Sequence, residues 1–421
     1  MSPSPVTLDF PASIVTLDNG LTVIHQHVPV TPVVVVDVWV RAGAAIEPEP
    51  WSGMAHFLEH MIFKGSDRLA PGGFDLEIEN RGGVANAATS HDYAHFFITT
   101  AAEHFADTLP HLAEILLRAA IEDEEFARER LVVLEEIRQA DDHPDGLAFQ
   151  ALMETAYQQH PYGRPVLGTE ASLMRHTSEE MRCFHQSHYQ PENMTVAVVG
   201  NVSREFAVEQ VSRAFSEFAP PPACPLSLAD AEPPLTAIRR RELHLPNMEL
   251  ARLNLAWTGP GVEQVREAYG LDLLSVLLAE GRSSRLVREL REQKRWVQEI
   301  GSGFSLQRDS SLFTISAWLE PQWIEPVEAF IGDRLMELQE VPVSEAELDR
   351  AKRLLCNDYA FSTETPIQLA GLYGYYQTIA NVELAVAYPH NIQSYRPEEL
   401  QLLANRYLRG DRYAATVVQP V

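Results

Sequence analysis

The first two hundred residues begin with short β-branched runs separated by turn residues. The segment Leu17-Asp-Asn-Gly20 predicts a hairpin turn, because Asn-Gly accepts the backbone conformations of tight turns. Residues 31–41 are rich in valine with few polar breaks, which predicts a central strand. Residues 84–88 and 94–99 predict two further strands, and residues 193–200 predict a buried strand that ends on glycine.

Helical periodicity occupies the segments between these strands. In the first half the predicted helices span residues 54–63, 103–118, 122–141, 147–160 and 178–188. In the second half we predict strands near residues 238–258, 299–319 and 413–418, and helices near 262–278, 281–294, 323–339 and 344–360. The same succession of elements in both halves predicts two similarly built α+β domains, related by duplication.

A proline-rich stretch separates the two halves. Residues 218–234 lack periodicity and read as a linker. We therefore predict an N-terminal domain over residues 1–217 and a C-terminal domain over residues 235–421.

Charge and composition narrow the classes of function. The 421 residues include 59 acidic and 33 basic side chains, a formal net charge of -26. A nucleic-acid-binding protein needs a basic surface, so this charge argues against that class. The first residues carry no secretory-signal pattern, and no apolar run is long enough to span a membrane, so the sequence predicts a cytoplasmic protein. The cysteines Cys183, Cys224 and Cys356 are widely spaced and predict buried free thiols.

The strongest chemical signal is the segment His56-Phe-Leu-Glu59-His60 in the first predicted helix. Two histidines four residues apart share one helix face and can reach one metal ion. Glu59 lies on the same side, where a carboxylate can accept a proton from a water molecule. The order His-x-x-Glu-His is the inverzincin motif of zinc peptidases. The pentapeptide alone is equally compatible with a surface helix that carries two histidines.

A third metal ligand must come from elsewhere, and the predicted helix over residues 122–141 is rich in glutamate. Glu129 and Glu136 are two turns apart and face the same way, near the apolar stripe. Glu135 is rotated by about 100° from Glu136. Buried carboxylates need a cation or strong hydrogen-bond donors. Spacing alone leaves open an ordinary solvated acidic helix.

Several motifs in order resemble the pitrilysin/insulysin-type zinc metallopeptidases, in particular the mitochondrial-processing-peptidase-like branch. They run from the turn at Leu17 to Glu136 and include Gly53-x-Ala-His-Phe-Leu-Glu-His-Met-x-Phe-Lys-Gly65 and Gly82-Gly-x-x-Asn86-Ala-x-Thr89. In the second half, Ser283-Ser-Arg-Leu286 resembles a family signature. The resemblance implies two homologous domains, each a mainly antiparallel sheet packed with helices.

The resemblance also implies roles for single residues. His56, His60 and Glu136 would bind Zn²⁺, Glu59 would be the general base, and Glu129 would orient a ligand histidine. The strand around Asn86 and Ala87 would hold an extended peptide substrate by its backbone. Asn86 would hydrogen-bond the substrate there, or it is a turn residue that follows Gly82-Gly83. These assignments imply a zinc-dependent endopeptidase acting on peptides or unfolded leader segments.

The second half departs from the family pattern at one informative position. Active relatives carry an arginine and, seven residues later, a tyrosine that contact the substrate carbonyl. Arg291 matches the arginine, but position 298 is glutamine. Either Gln298 substitutes for the tyrosine, or a partner chain supplies the pair. The sequence therefore predicts a homodimer, or a heterodimer with a homologous subunit that lacks zinc. The alternative function is a noncatalytic assembly subunit of the same fold.

Overall fold

The chain forms two compact units in a computed structural model that describes residues 11–225, 231–246 and 248–421. The first unit combines residues 1–137, 165–228 and 361–387. The second combines residues 138–164, 229–360 and 388–421. The first unit therefore includes residues 361–387 from the second half of the sequence, and the second unit includes residues 138–164 from the first half. The division predicted at residues 218–234 separates the two halves of the sequence, and each compact unit adds one segment across it.

In the described ranges of the chain, eleven strands form two sheets. Their bounds are β1 Ser13–Thr16, β2 Thr22–His27, β3 Val33–Val40, β4 Val84–Thr89, β5 Ala94–Ala101, β6 Met194–Gly200, β7 Arg239–Leu245, β8 Ala251–Pro260, β9 Glu299–Leu306, β10 Ser310–Leu319 and β11 Ala414–Pro420. The strands predicted from the sequence are confirmed, with ends that differ by a few residues.

The α-helices include those predicted from the sequence, and further helices lie between them and after residue 360. They are α1 Met54–Ile62, α2 Gly73–Glu79, α3 Phe105–Leu117, α4 Asp123–Asp141, α5 Pro144–Ala156, α6 Glu170–Leu173, α7 Ser178–His188, α8 Arg204–Ala214, α9 Val265–Ala279, α10 Ile324–Glu340, α11 Glu345–Phe361, α12 Pro366–Ile379, α13 Glu383–Gln393 and α14 Pro397–Tyr407. A π-helix spans Val287–Lys294, where the sequence predicted an ordinary helix.

The sheet of the first unit has the strand order β1-β2-β6-β3-β5-β4. The valine-rich β3 lies between β6 and β5, which confirms its predicted central position. Its even-numbered valines belong to the hydrophobic core that also contains residues of α1, α3 and α4. The strand β4 is at the edge of the sheet.

Helix α12, from the second half of the sequence, packs on β3 and β6 of this sheet. Gly374 lies directly on the indole of Trp39: a Cβ atom at Gly374 would be 2.1 Å from Trp39 Nε1. Only glycine allows the helix to approach this closely. The covering of this part of the sheet is therefore fixed by a residue more than three hundred positions away in sequence.

The sheet of the second unit repeats the pattern with the order β7-β11-β8-β10-β9. In both sheets the first core strand pairs in parallel with the last strand of its half, β2 with β6 and β7 with β11. The other pairings are antiparallel. Helix α5, from the first half of the sequence, packs on β11 and β8. The repeated order supports the predicted duplication and confirms mainly antiparallel sheets.

The prediction of free thiols is wrong for two of the cysteines. Cys183 on α7 forms a disulfide with Cys224, with a Cα–Cα distance of 6.2 Å. A separation of 41 residues hides such a pairing from sequence spacing. Cys356 is free.

Two stretches of the sequence lie outside the described residues. They are residues 1–10, which carry no secretory-signal pattern, and residues 226–230 of the predicted linker. Among the helices of the described ranges, none has the length and apolar character needed to cross a membrane.

Candidate metal centre

Helix α1 places His56, Glu59 and His60, and its first turn is held by a buried carboxylate. Glu47 accepts hydrogen bonds from the backbone N–H groups of Gly53 at 2.9 Å and Ala55 at 2.7 Å. These groups have no partner within the helix, and a negative charge at a helix N-terminus is stabilising. Gly53 adopts a left-handed φ of 89°, which favours glycine. The start of the helix is thereby fixed.

Three side chains converge at one point of the first unit. Glu136 from α4 lies with one carboxylate oxygen 3.6 Å from His56 Nε2 and the other 3.3 Å from His60 Nε2. Within the described part of the chain, this is the one group of three or more histidine, cysteine or acidic side chains that converges; its ligand atoms lie within 4.8 Å of one another. Two Zn–ligand bonds of about 2.05 Å at a tetrahedral angle separate the ligand atoms by about 3.3 Å. The donor set therefore fits Zn²⁺, and the two histidine–carboxylate separations are close to this value.

Glu129, which lies on α4 with Glu136, is behind His60 of α1. Its Oε1 is 2.9 Å from His60 Nδ1, and its Oε2 is 2.7 Å from the ammonium group of Lys64. The carboxylate is buried, with 6% of the residue exposed. Both oxygens thus have charge-assisted partners, and His60 is oriented with Nε2 toward Glu136. This is the arrangement that commonly supports a metal-binding histidine.

The electrostatics of the two histidines differ. Burial lowers the pKa of His56, against the opposing charge of Glu136. Burial also acts to lower the pKa of His60, but hydrogen bonds to Glu129 and Glu136, together with their charges, raise it to about 9. Without metal, His60 carries a proton at neutral pH. A metal ion must displace that proton, because a ligand histidine is neutral.

Glu59 does not join the three converging donors. Its Oε2 accepts a 2.6 Å hydrogen bond from the hydroxyl of Thr89, the last residue of the edge strand β4. Burial lowers the pKa of the neighbouring His56, and the charges of Glu136 and, to a smaller extent, Glu59 oppose that lowering. The Glu59 carboxylate is therefore held beside the site without being one of its ligands.

Comparison with known proteins identifies the group to which this arrangement belongs. The model for insulinase, peptidase family M16, matches residues 22–170, and the model for the peptidase M16 inactive domain matches residues 175–355. The chain is 31% identical to Zinc protease PqqE of Helicobacter pylori over 96% of its own length and 92% of that protein. The chain belongs to peptidase family M16.

Other M16 relatives agree with this assignment. The chain is 27% identical to the probable mitochondrial-processing peptidase subunit beta of Arabidopsis thaliana, over 97% of this chain and 78% of that protein. The crystal structure of a protease from Helicobacter pylori matches with a TM-score of 0.91 at 30% identity, covering 97% of this chain and 99% of that one. The predicted family and the two-domain fold are confirmed, and a zinc peptidase is supported at the level of the family.

The residues predicted to bind substrate in this M16 chain lie in both units. Asn86 is exposed on β4, and its Oδ1 accepts a 2.9 Å hydrogen bond from the backbone N–H of Ala87. Arg291 lies in the π-helix of the second unit, where its guanidinium is 2.9 Å from Glu292. Gln298 is exposed, and its backbone N–H donates to the carbonyl of Trp318 at 2.8 Å.

Sequence reasoning missed the side chains that hold the M16 site residues in place. Lys64 and Thr89 lie within the two family motifs of the first half, and Glu47 lies shortly before them. The hydrophobic periodicity did not predict which side chains or backbone groups these three residues contact. Lys64 offered one usable signal, because it is one turn after His60 and can face the same acidic helix. Thr89 and Glu47 act across loops, where spacing carries no such information.

Another pair of histidines four residues apart, His91 and His95, does not join the metal centre. His91 lies in the turn between β4 and β5. His95 Nδ1 is 3.0 Å from the buried carboxylate of Asp37, and its ring stacks on Trp39 at 4.3 Å. His95 therefore packs against buried residues of the sheet, while His91 belongs to the turn.

Proposed function

We propose that this M16 chain is a zinc-dependent endopeptidase that hydrolyses peptides or unfolded leader segments. The observation that carries the proposal is the convergence of His56, His60 and Glu136 in a geometry that fits Zn²⁺. When bound, Zn²⁺ would supply Lewis-acid chemistry, polarising a peptide carbonyl and lowering the pKa of a water molecule.

The chain's own groups would carry the proton transfers. Glu59 would take a proton from the attacking water and deliver it to the leaving amine, as a general base and then a general acid. Its place on the same helix as both histidines supports this role. Glu129 would keep His60 oriented through the Nδ1 hydrogen bond.

The peptide would lie along the edge strand β4. An added strand gains backbone hydrogen bonds and demands little of the side chains, which suits varied unfolded substrates. Ala87 offers an N–H that now donates to its neighbour Asn86, and a peptide carbonyl would compete for it. By resemblance to active relatives, Arg291 would contact the substrate carbonyl. The net charge of -26 would favour basic segments.

The decisive experiment is the Glu59→Gln variant of the zinc-loaded protein. We expect it to keep zinc and to lose peptide cleavage by roughly 100-fold or more, because general acid–base catalysis contributes about that much. Glu79→Gln, at an exposed position on α2, is the matched control and should cleave normally. Undiminished cleavage by Glu59→Gln would exclude this mechanism.

A noncatalytic assembly subunit is the second candidate, and Gln298 favours it. The glutamine stands where active relatives carry tyrosine. Zinc analysis and a cleavage assay, alone and with any copurifying chain, separate the two functions. Absence of zinc and of cleavage in both states would favour the assembly role.

The dimer and the cytoplasmic location stay predictions. The Arabidopsis relative is named as a subunit beta, which supports an assembly of more than one chain. A homodimer and a heterodimer with a zinc-less homologue both stay open. Native mass spectrometry of the endogenous complex would identify the partner, and a strictly monomeric chain would exclude both dimers.

A further inference from the structure

The contact between Thr89 and Glu59 joins the edge strand of the sheet to the carboxylate proposed as the base. The hydroxyl of Thr89 lies 2.6 Å from Glu59 Oε2, a short distance typical of an O–H donor on a charged oxygen. The two residues are 30 positions apart, so the contact depends on the fold.

Both sides of this contact are fixed by backbone structure. Thr89 pairs with Ala94 on β5, and the following turn is closed by a 2.8 Å bond from Ser90 N–H to the Tyr93 carbonyl. The same turn accepts backbone hydrogen bonds from Ala44 and Ala45. Glu59 rises from α1, whose start is held by Glu47. A hydrogen bond between two fixed elements needs little reorganisation.

The hydrogen bond also gives the two carboxylate oxygens of Glu59 different roles. With Oε2 occupied by the Thr89 hydroxyl, Oε1 is the oxygen left for a proton. A glutamate side chain without such a contact has several accessible rotamers, and restricting them favours the reactive geometry.

We propose that Thr89 is a positioning residue that holds Glu59 for proton transfer and ties it to the register of a peptide on β4. This inference rests on the proposed function. Thr89 would touch no reacting atom, and its effect would pass through Glu59. Replacing Thr89 with valine keeps the shape but removes the hydroxyl, while serine keeps the hydroxyl and removes a methyl group.

The test uses the full-length zinc-loaded protein and a fluorogenic peptide. We expect Thr89→Val to lower kcat by roughly 10- to 100-fold, the range for a lost hydrogen bond to a charged group, with KM little changed. Thr89→Ser should recover kcat to within about threefold of the unmodified protein. In a Glu59→Gln background, Thr89→Val should have no further effect on kcat, because the carboxylate it orients is already gone.

Two readouts separate positioning from a structural defect. Zinc content and the Kd of a noncleavable peptide, measured by fluorescence anisotropy, should be unchanged in Thr89→Val. The matched control is Thr100→Val on β5, because the Thr100 hydroxyl is buried and has no hydrogen-bond partner in the described structure. It should retain full kcat.

Different failures refute different claims. Full kcat in Thr89→Val, or no recovery in Thr89→Ser, overturns the positioning role while leaving the endopeptidase intact. Loss of zinc or of peptide binding in Thr89→Val also overturns it, because the residue would then support the fold. A zinc-loaded unmodified protein that cleaves no peptide overturns the proposed function, and the positioning role with it.

Discussion

The buried carboxylate of Glu129 provides a direct test of how the metal centre is built. The Glu129→Gln variant keeps the size and one carbonyl oxygen, so it can still accept the His60 N–H. Its amide NH₂ group, however, is a donor and would face the Lys64 ammonium, now 2.7 Å from a carboxylate oxygen. The variant therefore replaces the ion pair with two hydrogen-bond donors, the amide NH₂ and the ammonium group, that face each other without an acceptor.

The expected loss of zinc affinity follows from the contacts of Glu129 with His60 and Lys64. Replacing a partner of a metal-binding histidine typically lowers metal affinity by about 10- to 100-fold. That range corresponds to about 1.4–2.7 kcal/mol. We expect the lower part of it, because the loss of Glu129 also lowers the pKa of His60 and so weakens the competition of the proton with the metal.

The assay is a competitive titration of the metal-free protein against a chromophoric zinc chelator at constant pH. Glu135→Gln is the matched control, since Glu135 is exposed on the same helix, beside Glu136. It should change zinc affinity by less than about twofold, as a surface substitution. Unchanged affinity in Glu129→Gln would refute the orienting role, and an equal loss in Glu135→Gln would show that only helix charge matters. Urea unfolding of both metal-free variants checks that the fold is retained.

Three further predictions address proton linkage and packing. Because the pKa of His60 is raised to about 9 without metal, the logarithm of zinc affinity should rise by about one unit per pH unit between about pH 7 and 8; a flat profile in the chelator titration would contradict this. Burial lowers the pKa of His176 to about 4 from 6.5, so the unfolded state takes up a proton first as the pH falls. His176 should then contribute a decrease of about 2 kcal/mol in the free energy of unfolding between pH 6.5 and pH 5, and the His176→Gln variant should lose that contribution in urea titrations. Gly374→Ala should destabilise the first unit by about 1–3 kcal/mol, because its Cβ would meet the Trp39 ring. A variant with the same thermal unfolding midpoint as the unmodified protein would contradict the close packing of α12 on Trp39.

Much of the local structure was predictable because periodicity records which face of an element is buried. The valine-rich run predicted β3 at the centre of its sheet, and helix α7 has the predicted bounds. The four-residue spacing of His56 and His60 indicated a shared helix face, and the seven-residue spacing of Glu129 and Glu136 indicated another. These signals need no knowledge of what lies opposite.

The convergence of the site could not be obtained in this way. His60 and Glu129 are 69 positions apart, and spacing alone was compatible with a solvated acidic helix. The resemblance to a peptidase family made the choice of Glu136, and the structure brings its carboxylate to both histidines. The same limit hid the Cys183–Cys224 disulfide, since pairing depends on how α7 meets a distant segment.

The sequence by itself determined the order of strands and helices, the helix face with His56, Glu59 and His60, and the family. Only the tertiary structure decided that α12 covers the first sheet, that α5 packs on the second, and that Thr89 bonds to Glu59. The physical reason is that a periodic pattern states that a face must be buried, while its partner is selected by steric fit and hydrogen-bond geometry between distant segments.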